Sequence, residues 1–157
     1  MSDLIDGFTW QEGRWNVRHR KLRERLTGCT DWQEFDGTCA AWPVLGGQGN
    51  IEDNALDDPS GAYRAIAVRA FDPAAGLWSI WWLDGRSPAN LDVPVRGHFE
   101  NGIGTFLADD VLEGRPIKIR FRWSGITADS AVWEQAFSAD GGESWEVNWV
   151  MDFTRTA

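Results

Sequence analysis

The spacing of its turns most limits what this chain can fold into. Asp57-Asp58-Pro59-Ser60-Gly61, Asp72-Pro73-Ala74-Ala75-Gly76, Asn101-Gly102 and Asp140-Gly141-Gly142 supply residues that reverse a backbone. Between such sites run short segments with a two-residue rhythm. Ile117, Ile119, Phe121 and Trp123 alternate with Lys118, Arg120 and Arg122, the pattern of a half-buried strand. Asn101-Gly102 between Val95–Phe99 and Ile103–Leu107 is a strong hairpin signal. Other strands are expected over Arg14–Leu26, Trp32–Ala41, Gly47–Asp53, Ala62–Phe71, Leu77–Leu83, Ala131–Ser138 and Trp145–Phe153. In the last of these, Trp145, Val147, Trp149, Met151 and Phe153 share one face.

About ten strands, with turns about every 8–12 residues, read as an antiparallel meander. Closing it into a barrel would remove exposed edges, and a two-sheet sandwich is the alternative. The fold expected is therefore all-β: a single antiparallel up-and-down β-barrel of about ten strands over residues 1–157, as one domain. A short helix is expected over residues 2–10, with Ser2 as its cap and Leu4, Ile5, Phe8 and Trp10 as its apolar face.

Eleven tryptophans among 157 residues give such a barrel bulky side chains for its interior. No apolar run is long enough for a membrane span. The opening Met1-Ser2-Asp3-Leu4-Ile5-Asp6 is acidic and lacks the apolar stretch of a secretory signal, which points to the cytoplasm and to reduced thiols at Cys29 and Cys39. The net charge of −9 disfavours nucleic acid and anionic membranes. Arg14, Arg18, Arg20, Lys21, Arg23 and Arg25, opposed in that stretch only by Glu24, make a basic segment without a recognition motif. Two histidines, His19 and His98, and two cysteines at no chelating spacing predict neither metal nor other cofactor.

Gly13-Arg14-Trp15, a G-x-W at the start of the first strand after a short helical segment, resembles the opening of calycin-superfamily barrels, which include lipocalins and fatty-acid-binding proteins. The chain as a whole is similar to an uncharacterised bacterial family of lipocalin-like barrels. Phe71-Asp72-Pro73 with Trp78-Ser79-Ile80-Trp81-Trp82, Trp133 through Ser138, and Asp140-Gly141-Gly142 with Trp145 through Arg155 carry that likeness. The resemblance implies a barrel in which Arg155, near the end of the last strand, covers Trp15. It brings no established reaction or ligand.

Alternation places His19 with Trp15 and Val17, on the face that should point inward. There it can be a hydrogen-bonded lining residue, a ligand contact or, less compatibly with the ligand count, a haem ligand. His98, near a hairpin end, is expected in solvent. Arg69 shares a face with Tyr63, Ala65, Ala67 and Phe71, whose small members leave room for a ligand carboxylate beside it. Glu34, Asp36, Glu52 and Glu134, with Arg18, Arg20, Arg69, Arg120 and Arg122, read as an outer surface of cross-strand pairs, the inward turn of Arg69 being the alternative. Trp78, Trp82, Trp123 and Trp149 serve either as core or as cavity wall.

The function expected is the binding of a small apolar or amphipathic molecule, with His19 and Arg69 orienting its polar end and Tyr63 and the four tryptophans around it. No catalytic set is legible. An isomerase or cyclase using His19 beside Glu134 is the enzymatic alternative, and a ligand-free homodimeric module is the third reading.

Overall fold

In the computed structural model, which describes residues 7–156, ten antiparallel strands close into one barrel. They are β1 (Gly13–Leu22), β2 (Trp32–Val44), β3 (Gly49–Leu56), β4 (Tyr63–Asp72), β5 (Leu77–Asp84), β6 (Val95–Glu100), β7 (Ile103–Leu112), β8 (Arg115–Ser124), β9 (Ser130–Ser138) and β10 (Glu146–Arg155). Each strand pairs with its neighbours in sequence, and β1 pairs with β10 to close the ring, so the meander is of the up-and-down type. Closure leaves no free sheet edge along the β1–β10 seam, where Trp15 lies opposite Arg155 and Lys21 opposite Trp149.

Local chemistry accounts for the reversals. Asn101 and Gly102 both take positive φ (53° and 78°), the geometry a two-residue hairpin requires. Glu113-Gly114 does the same at the end of β7 (50° and 79°) and lets that strand run past Asp109 and Asp110 to Leu112. Pro43 does not end β2. Pairing with β1 stops at Ala41, so Pro43 has only β3 beside it, an edge setting that accommodates proline.

One expectation is narrowed and one needs correction. Within the region expected to be helical, the described residues hold only a 3₁₀ turn, Thr9–Gln11; Ser2, Leu4 and Ile5 lie outside the described residues. Trp145 does not join the inward row of β10. A register shift between Val147 and Trp149 breaks the alternation, and Trp145 lies ahead of the strand. Its ring sits 4.6 Å from the Arg120 guanidinium carbon, and its Nε1 donates to the Gly142 carbonyl.

The two ends of the barrel differ. At one end residues 7–12 fold across the opening. Phe8 enters the interior, edge-on to Trp78 and Phe99, and Trp10 meets Trp15 and Trp123. The opposite end carries the longer connections 23–31 and 85–94. No helix among the described residues is long and apolar enough to cross a membrane.

Candidate functional site

The interior is divided between a filled half and an open half. In the filled half, beneath Phe8, lies a buried polar cluster. Arg69 of β4 forms an ion pair with Glu52 of β3, both about 3% exposed at the side chain. Arg69 Nη1 also donates to Asn50 Oδ1 at 2.8 Å and to Gln11 Oε1. Glu52 accepts from Gln11 Nε2 and Asn54 Nδ2, so its oxygens are met from three sides. The guanidinium stacks 4.3 Å from the Phe8 ring. Burial raises the Glu52 pKa, but the Arg69 charge and these hydrogen bonds outweigh it, and the net shift is downward.

Arg69 therefore points inward, with its hydrogen bonds directed to other residues of the chain. Glu52 is a correction: it is not on the outer surface. Asn50, Glu52, Asn54 and Leu56 form the inward row of β3, and the register brings Asn50 beside Arg69. Period-2 reading of that row was the signal for it; the residue's charge hid it. A void of about 10 Å³ separates the pair from Trp82, Trp123 and Trp133, so the interior is not a continuous channel.

At the open end a cavity of about 250 Å³ enters the barrel. Trp82 of β5, Trp133 of β9, Trp149 of β10 and Phe121 of β8 form its apolar wall. Trp149 lies edge-on to both Trp82 and Trp133, with centroids 5.7 and 5.3 Å away. Around the rim stand Lys21, Arg25, Arg86, Asp84 and Asp92. Arg86 is tied to Asp84 at 2.7 Å and lies 3.5 Å over the Tyr63 ring. Lys21 and Arg25 form no ion pair among the described residues, and Arg25 Nε has no hydrogen-bond partner there.

Lys21 reaches the rim because alternation along β1 carries Trp15, Val17, His19 and Lys21 on one face. Its Nζ sits 4.1 Å from the Trp149 ring centroid. Burial, and after it the charges of Arg25 and Arg86, lower its pKa to about 8. Burial raises the Tyr63 hydroxyl to about 12, so it stays protonated at neutral pH.

His19 lies just below the rim and is 1% exposed. It stacks on Phe35 at 4.7 Å, and its Nδ1 accepts from Trp149 Nε1 at 3.1 Å. An accepting Nδ1 requires a neutral ring with its proton on Nε2. Burial, with a smaller push from Lys21, lowers its pKa to about 4. Across β2, a Cβ at Gly37 would meet the Ala55 carbonyl oxygen and come within 3.0 Å of His19 Nε2, so glycine there makes room for the ring. His98 is exposed, 3.8 Å from Glu100.

Thus the open end brings together His19, Trp82 and Trp149, with Tyr63 beside Arg86. Arg69, Trp78 and Trp123 are gathered at the closed end. His19 and Glu134 are not brought together: Glu134 pairs with Arg122 and Val150, on the face of β9 opposite to Trp133. At the seam, Gly13 takes φ 117°, Trp15 Nε1 donates to the Gln11 carbonyl at 2.8 Å, and the Arg155 guanidinium lies 4.2 Å from the Trp15 ring. Arg155 also donates to the carbonyls of Trp10, Glu12 and Ala128. Sequence reading missed Lys21, Arg25, Arg86, Asp84, Asp92 and Trp133 as neighbours of one cavity. Among the described residues no cluster of three histidine, cysteine or acidic side chains could hold a metal ion.

No family model matches the sequence, and no curated protein matches it. Among solved structures the chain is similar to the S-type phycobiliprotein lyase CPES from Guillardia theta, at 9% identity and a TM-score of 0.60, over 96% of this chain and 90% of that one. At that identity the likeness shows the fold alone, a closed barrel of ten antiparallel strands.

Proposed function

We propose that the chain is one barrel domain that binds a small amphipathic molecule at its open end. The ligand's apolar body lies against Trp82, Trp133 and Trp149, and its anionic group faces Lys21 and Arg25. The observation that carries this is the pairing of a cavity of about 250 Å³, walled by aromatic rings, with two half-buried cations that have no carboxylate within ion-pair distance among the described residues. Holding such cations away from water costs free energy, and an incoming anion offsets that cost. His19 fixes the Trp149 wall through its hydrogen bond. Arg69, committed to Glu52, supports the fold beneath the site and does not meet the ligand.

A larger depression of about 430 Å³ lies at the other end, against Phe8, Phe71 and Trp78, with Glu12 as its one charged side chain among the described residues. It lacks the cations that would favour an amphipathic acid. The lyase from Guillardia theta supports the barrel and adds no ligand, because 9% identity carries fold alone.

Calorimetric titration with naphthoate and with the matched alcohol, naphthylmethanol, tests the reading. Naphthoate should bind more tightly, and Arg25→Gln should weaken naphthoate roughly tenfold while leaving the alcohol unchanged, the size expected for one charge-assisted hydrogen bond. No heat from a panel of aromatic acids and fatty acids, or equal losses for acid and alcohol in Arg25→Gln, would contradict it.

A further inference from the structure

The chain holds two lysines, and they stand in opposite settings. Lys118 is on the outer face of β8, paired with Asp109 at 2.8 Å. Lys21 ends the inward row of β1, with its Nζ over Trp149 and inside the rim of the open cavity. No carboxylate pairs with it among the described residues. The charged groups that act on it are Arg25 and Arg86, which oppose its proton, and Asp58 and Asp84, which favour it.

We propose that Lys21 is a nucleophilic amine that condenses reversibly with a small apolar aldehyde seated against the tryptophan wall. This rests on the reading of the open end as a ligand site and adds a reaction to it. An amine works as a nucleophile only when unprotonated, and desolvation beside other cations is the usual way a lysine is brought there. Its depressed pKa is consistent with that environment.

The step balances without any further reagent. The Nζ lone pair attacks the carbonyl carbon, and the C=O π electrons move to oxygen, which takes up, through solvent, the proton that the ammonium shed. The nitrogen then passes its excess proton to that hydroxyl, the C–O bond breaks as the remaining nitrogen lone pair forms the C=N bond, and the oxygen leaves as water. The product is a protonated imine, with one carbon–nitrogen double bond in place of the carbonyl. Its single positive charge remains where the ammonium stood, over the face of Trp149, a position an aromatic ring favours. An aldehyde body seated against Trp82, Trp133 and Trp149 would shield the imine carbon and slow hydrolysis back to the amine.

The test is trapping with naphthaldehyde and cyanoborohydride at about pH 8, which adds hydride to the imine carbon and fixes the adduct for peptide mapping. The same preparation is titrated calorimetrically with naphthoate. Lys21 should gain one naphthylmethyl group at least about tenfold faster than Lys118. Saturating naphthoate should suppress the Lys21 adduct, Lys21→Arg should abolish it, and Lys118→Arg should leave it unchanged. Equal labelling of the two lysines overturns the proposal, as does Lys21 labelling that bound naphthoate fails to suppress. Naphthoate binding without a selective Lys21 adduct overturns the imine alone. Absence of both overturns the imine and the ligand site together.

Discussion

His19 and Glu52 share the barrel interior, both without their titrating proton, one neutral and the other anionic, and each state is set by its neighbours. The Trp149 indole needs an acceptor, and the neutral imidazole supplies it. Protonating His19 would remove that acceptor and place a charge beside Phe35 on a side chain that is buried. Its pKa in the fold, about 4, lies below its ordinary 6.5. The unfolded chain thus takes up this proton first as pH falls. Stability from His19 is complete above about pH 6.5, declines below it and is gone near pH 4. The loss is about 3 kcal/mol. Urea unfolding followed across that range should show this decline in the wild type and a flatter profile in His19→Gln. Parallel profiles would mean that His19 does not set the acid sensitivity. Glu52 acts in the same sense at lower pH: its downward shift stabilises the fold above the usual carboxylate range, and that contribution is lost as pH falls through the folded value.

Among the elements, the contact between the last strand and the N-terminal segment holds the closed end. Arg155 of β10 lies across Trp15 of β1 and donates to the carbonyls of Trp10 and Glu12, so one side chain joins the seam to the segment that plugs it. Arg155→Ala should cost about 2–4 kcal/mol, from the cation–π contact and the abandoned carbonyls. Naphthoate affinity at the far end should stay within about a factor of two. Chemical unfolding with a parallel binding titration checks both. Unchanged stability with weakened binding would reverse the assignment of the two ends. The strands themselves were legible because their cues are local: Asn101-Gly102 marks a hairpin, and alternation in Ile117–Trp123 marks an inward face. The register shift ahead of Trp149 was not legible, and it is what removes Trp145 from the inward row. Glu52 and Lys21 were hidden for another reason. Both follow the alternation of their strands, but a charged residue reads as a surface residue until its neighbour on the adjoining strand is known. Arg69 stood open between an outer-surface base and an inward side chain, and it is buried. That it meets Glu52 rather than a ligand depends on β3–β4 register and on Gln11, which no local pattern discloses.

At the scale of the molecule, one barrel divides into two halves with different work. The half under Phe8 is packed with aromatic rings around the buried Arg69–Glu52 ion pair, and it carries stability. The other half keeps a cavity of about 250 Å³, with cations at its rim and indoles along its wall. The division follows from topology: residues 7–12 cross one end, while the other carries the connections 23–31 and 85–94 that supply Arg25, Arg86 and Asp92. The central claim is that an amphipathic anion enters the second half only. The indole N–H resonances of the tryptophans report it directly, because they are distributed over both halves. In a nuclear magnetic resonance titration with naphthoate, the signals of Trp82, Trp133 and Trp149 should shift saturably, while those of Trp10, Trp15 and Trp123 hold still. Shifts confined to Trp10, Trp15 and Trp123, or no saturable shift in any indole, would contradict the account.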